Sequence, residues 1–152
     1  MRTSSLKYWC LEIITGLFIL LFVYTAISKL IDFQKFTQIL KSFPAIGFAG
    51  GFFALLLPLV ELFIATLLFV PKYRNAGLAA SLILMIIFSI YLTYMILFTP
   101  DRPCNCGGVI QKMTWNQHLI FNFIFICLAI TGMRLQKPQI FIAINRNSRT
   151  PV

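Results

Sequence analysis

The chain has 152 residues, 59% of them hydrophobic and only 11% charged, against roughly 25% charged in soluble domains. That composition excludes an ordinary soluble enzyme. The net charge of +9 does not indicate nucleic acid either, because the thirteen basic residues stand singly between apolar stretches, as topology signals and lipid-headgroup contacts do.

The first apolar stretch, Trp9 to Ser28, follows Arg2 and Lys7. Its length, its Glu12 and the lack of a small-x-small cleavage site identify it as a membrane anchor rather than a signal peptide. Next comes "SKLIDFQKF", in which Lys29 and Asp32 are three apart and can pair on one helical face. Phe33 and Phe36 dip towards lipid or bundle; Leu30 to Ser42 reads as a short amphipathic segment or, as the sequence alone favours, a solvated interfacial linker.

The second stretch runs from Ala45 to Val70 and carries Glu61, an acid that costs about 2.5–3.5 kcal/mol near mid-membrane on insertion scales. Pro58 lies three residues earlier, on the same face, and leaves the carbonyl of Ala54 without its helical donor. Glu61 is thus a proton relay, a polar contact for a quinone head group, or a structural hydrogen bond to a neighbouring helix. The third stretch is Ala76 to Phe98. The fourth is Leu119 to Met133 with a lead-in from Thr114, whose spacing to Gln117 predicts a capping box starting the helix. Runs apolar on every face predict helices, not barrel strands. The expected fold is all-α: an integral membrane four-helix bundle, residues 1–136, followed by a loose basic tail, 137–152. Small residues, among them Gly16, Ala26, Gly50, Gly51, Ala54, Ala65, Gly77 and Ser81, should let the helices approach.

Four crossings put both termini and the Lys72 to Asn75 turn on one side, with eight basic residues, and five on the other. The positive-inside rule places that first side in the cytoplasm and the connection between the third and fourth helices outside. This connection contains "PDRPCNCGGVIQKMTW". A disulfide between Cys104 and Cys106 needs a sharp turn at Asn105, encloses almost no chain, and so has more use in exchange than as a staple. Arg102, Lys112 and the amino end of the fourth helix favour a thiolate, and His118, one turn into that helix, either shuttles a proton or, the commoner case for an interfacial histidine, only hydrogen-bonds a neighbour. Unpaired thiols, a metal contact shared with His118, and cross-links to another chain remain open alternatives. Cys10 and Cys127 are expected to be inert packing residues, and Glu12 to be hydrated at the membrane edge.

The K-x-x-D-x-x-x-F run at Lys29, Asp32 and Phe36, P-x-x-E at Pro58 and Glu61, and C-x-C-G at Cys104, Cys106 and Gly107 together resemble the MauE/DoxX-like family of four-helix membrane proteins. The resemblance covers about residues 11 to 133 and departs from the family pattern at Gly108, where a C-x-C-F-G continuation is common, and at Ala26, where glycine is common. It implies that Cys104 and Cys106 are a redox pair working with an exported thioredoxin-like partner in disulfide formation, and that Lys29, Asp32 and Glu61 are shared residues. Membrane lipid is the expected surrounding and a membrane quinone a candidate electron acceptor, while no resident metal is expected. The alternative is a non-enzymatic scaffold or assembly subunit with a structural C-x-C loop.

Overall fold

A computed structural model describes residues 2–41, 47–98 and 114–147. Five α-helices account for nearly all of them: α1 (Arg2–Ile31), α2 (Phe33–Lys41), α3 (Gly50–Phe69), α4 (Arg74–Phe98) and α5 (Trp115–Asn147), with a short 3₁₀ turn at Gly47–Ala49 leading into α3. No strand occurs among the described residues.

Four of the helices contain spans long and apolar enough to cross a membrane: Ser5–Ile31, Gly47–Phe69, Arg74–Tyr94 and Asn116–Gln136. The shortest hold 21 residues, which at about 1.5 Å of rise each suffice for a hydrocarbon core of about 30 Å. The protein is therefore an integral membrane protein. Its large exposed side chains, such as Leu20, Phe63, Ile90 and Phe123, face lipid and need no partner there. α5 is longer than its span. It continues as helix through Pro138 to Asn147, so residues 137–147 extend the last helix rather than beginning a loose tail.

The helices pack in a ring, α1 against α3, α3 against α4, α4 against α5 and α5 back against α1. α1 and α4 run towards the end that carries the 99–113 connection; α3 and α5 run away from it. The half of the bundle nearer the termini is filled by Leu11, Phe18, Phe22, Leu68, Leu78 and Ala129, all almost fully buried. Phe18 meets Phe125 edge-on with ring centroids 5.1 Å apart, a geometry that aromatic pairs prefer. A smaller cluster of Phe36, Leu40 and Ala54 closes the opposite end, where α2 lies across α3. α2 is an amphipathic helix rather than the solvated linker that the sequence alone favours, with Phe36 and Leu40 inward and Gln34, Lys35 and Lys41 exposed.

Close approach depends on small residues at only some of the expected places. Ala26, Ala54, Ala65 and Ser81 are buried, and the Ser81 hydroxyl is satisfied by donating to the Gly77 carbonyl at 2.7 Å. A Cβ on Gly77 would lie 2.9 Å from the Leu68 side chain and 3.0 Å from its backbone nitrogen, so α3 and α4 meet as they do only because Gly77 has none. Gly16 and Gly51 are exposed, with no neighbouring helix within 4 Å of where a Cβ would stand, and do not serve packing. The hydroxyls of Thr15, Ser89, Thr93 and Thr131 likewise donate to carbonyls four residues back, which keeps polar groups satisfied where no water reaches.

Candidate functional site

Between the two hydrophobic clusters lies a cavity of about 310 Å³, walled by all five helices. It occupies the half of the bundle nearest the 99–113 connection. Most of the wall is apolar, with the rings of Phe36, Phe53, Phe88, Tyr91 and Phe121 among its lining. Its polar side chains come from four helices: Thr25 and Lys29 from α1, Glu61 from α3, Tyr91 from α4, His118 and Asn122 from α5.

Lys29 and Glu61 define the polar side. The Lys29 ammonium donates to Glu61 Oε1 at 2.5 Å, with side-chain exposures of 13% and 1%. Removing two charges from water costs several kcal/mol per ion, so close pairing is a condition for keeping both here. Phe36 and Phe88 help, since their ring centroids stand 5.9 and 5.7 Å from the Lys29 nitrogen, within the range of cation–π attraction. α2 thus holds Lys29 in place through Phe36 while closing the end of the bundle.

The pairing differs from the local one that sequence spacing suggests. Lys29 turns inward to Glu61, and Asp32 leans outward to Lys35 at 3.8 Å. The reason is environmental: an acid buried on α3 leaves Lys29 a far stronger attraction than a half-exposed neighbour three residues away does. Pro58 is buried inside α3, as Glu61 is, though it does not line the cavity.

Two side chains that line the cavity each carry a buried polar atom with no hydrogen-bond partner: Glu61 Oε2 and Asn122 Nδ2. One accepts and the other donates, and both belong to residues no more than 2% exposed. Unsatisfied groups in such a place are costly, about 1–3 kcal/mol each, and call for an explanation. Asn122 escaped the sequence reading, although an amide within an apolar helix carries the same signal as Glu61: polar groups inside membrane helices turn to the bundle interior.

His118 lies where the helix start predicts. Thr114 and Gln117 form the reciprocal capping box, the Thr114 backbone N–H donating to Gln117 Oε1 at 2.9 Å and the Gln117 N–H to Thr114 Oγ1 at 3.4 Å. His118 N–H then donates to the Thr114 carbonyl at 3.0 Å, and the imidazole, half-buried, lines the cavity. Cys104, Cys106 and Arg102 lie outside the described residues; by chain position they belong to the connection that ends at this helix start. Among the described residues no three His, Cys, Asp or Glu side chains come together as a metal ion would require.

Two expectations about the other end of the bundle are corrected. Cys10 and Cys127 are exposed rather than packed, on surfaces that face lipid. Glu12 is not merely hydrated: Arg74 grips it with both terminal nitrogens, at 2.8 and 3.3 Å, and so ties the start of α4 to α1.

These features define a four-span helical membrane protein with a polar-headed internal cavity at the end where α4 stops and α5 begins. Comparison with family models adds the particular kinship. Residues 7–135 match the family described as methylamine utilisation protein MauE, and the chain belongs to that family. No curated protein and no solved structure matches it.

Proposed function

We propose that this chain is a membrane thiol–disulfide redox protein whose Cys104 and Cys106 exchange with an exported thioredoxin-like protein. The observation that carries the proposal is membership of the MauE family together with a C-x-C-G motif in the connection that enters α5. In the proposed orientation both termini are cytoplasmic and residues 99–113 face outward, into a compartment where disulfides persist.

The reaction is a two-electron exchange. A partner thiolate attacks one sulfur of the Cys104–Cys106 disulfide and forms a mixed disulfide; the partner's second thiolate then displaces the chain's sulfur. The partner leaves oxidised and this chain holds a dithiol. Arg102, Lys112 and the positive end of α5 stabilise the thiolate that is released. Exported dehydrogenase subunits are the substrates that the resemblance implies, but the departures at Gly108 and Ala26 set the chain on a divergent branch, so the substrate is defined by its chemistry, a secreted protein that needs disulfides.

The test is the double variant Cys104→Ser/Cys106→Ser. The expected result is loss of oxidation of the exported partner while the membrane protein still accumulates and assembles. Full partner oxidation in the double variant would leave a scaffold or assembly subunit as the reading.

A further inference from the structure

We infer that the cavity among α1, α2, α3, α4 and α5 binds the head group of a lipid-soluble quinone, held between Asn122 and the Lys29–Glu61 pair. Its electron-accepting role rests on the redox reading above; its ligand-binding role rests on the cavity alone.

Four observations point to this ligand class. The wall reaches the lipid side at Ile87, 54% exposed in the α4 span, so the occupant enters from hydrocarbon and must dissolve there. Six phenyl or phenol rings flank the space, those of Phe22, Phe36, Phe53, Phe88, Tyr91 and Phe121, which suits a flat ring that can stack or meet them edge-on. The volume, about 310 Å³, is at the small end of ligand pockets, which run from roughly 300 to 1,000 Å³; it accommodates a head group whose tail stays among the lipids. Finally, the polar side is already charge-neutral. Lys29 is matched by Glu61, so among the described lining residues an anionic phospholipid head meets no unpaired cation and is opposed by the carboxylate.

What the site lacks is one donor and one acceptor, opposite Glu61 Oε2 and Asn122 Nδ2. A quinone carbonyl accepts from Asn122. The hydroxyl that replaces a carbonyl on reduction donates to Glu61. A two-electron carrier therefore satisfies both orphan atoms as it passes between its forms, whereas a hydrocarbon chain satisfies neither.

The associated step balances without further reagents. The Cys104 and Cys106 thiols lose two electrons and two protons, their S–H bonds giving way to one S–S bond. The quinone gains them, its two carbonyls becoming two hydroxyls. His118, which lines the cavity four residues beyond Thr114, can pass protons to and from the head group.

The experiment titrates decylubiquinone into the full-length protein in nanodiscs and reads quenching of tryptophan fluorescence, with decane as a headless competitor. Saturable binding is expected, undisturbed by decane, and weakened at least about tenfold in Asn122→Leu, which removes the donor and narrows the space. Ile87→Trp, on the lipid face, should slow or block entry without altering the polar cluster. The double variant Cys104→Ser/Cys106→Ser should bind as the unaltered protein does and fail to reduce the quinone. Partitioning that never saturates, or equal binding in Asn122→Leu, overturns the site. Saturable binding with no reduction by the dithiol form keeps the site and overturns its electron-accepting role.

Discussion

The Lys29–Glu61 pair gives the sharpest energetic prediction. Glu61 is 1% exposed and Lys29 13%, and they are joined at 2.5 Å inside the bundle. Replacing one partner of such a pair leaves an uncompensated charge in a place of low polarity, at a cost of about 3–5 kcal/mol. The two single variants should not be equal. In Glu61→Leu the ammonium keeps the Phe36 and Phe88 rings at 5.9 and 5.7 Å, together worth about 1–2 kcal/mol, and its long stem can carry it outward past α2. In Lys29→Met the buried carboxylate has no such retreat, so this variant should lose more. The double variant Lys29→Met/Glu61→Leu removes both charges and should return to within about 1–2 kcal/mol of the unaltered protein, as exchange of buried ion pairs for apolar residues often does. Reversible unfolding in mixed micelles, run as a double-mutant cycle, measures the coupling directly. Ordinary interhelical hydrogen bonds in membranes couple by about 0.6 kcal/mol on average, so a coupling of that size or smaller, with additive single losses, would refute the argument that the two charges are held only by each other.

Other consequences are local. Gly77→Ala should destabilise the bundle by about 1–3 kcal/mol through overpacking against Leu68, whereas Gly16→Ala, with open space around it, should be neutral or slightly stabilising in the same assay. Glu12→Gln should cost under about 1 kcal/mol, because Glu12 is one-third exposed and pairs of that kind are screened; a loss comparable to that of Lys29→Met would contradict the assigned burial. Thr114→Ala should cost about 1 kcal/mol by removing the cap of α5, and hydrogen exchange should show the loss in the first turn of that helix and nowhere else.

The sequence reveals the four spans plainly, because an unbroken apolar run of that length has only one stable form in lipid. It also reveals the start of α5, through the spacing of Thr114 and Gln117, and offers α2, through Phe36 and Leu40 among polar neighbours, as one of two readings. These are local facts, decided within a few residues. The ion pairs are different. Lys29 and Glu61 are 32 positions apart, Glu12 and Arg74 62, and no spacing rule joins such partners; the nearest local rule pairs Lys29 with Asp32 instead. Only packing of α1 against α3 decides which acid Lys29 meets. Cys10 and Cys127 show a related limit, since helices apolar on every face carry little periodic signal of which side turns inward. Asn122 was open to inference, for an amide in a membrane helix calls for an inward position as surely as an acid does.

The reading of this protein as an outward-facing thiol–disulfide exchanger meets its most direct test in thiol labelling of intact cells with a membrane-impermeant maleimide, in a background where Cys10 and Cys127 are serine. Label should enter Cys104 and Cys106 from outside the cell, and only after mild reduction. Label that enters only once the membrane is permeabilised, or that enters to the same extent before reduction, would contradict it.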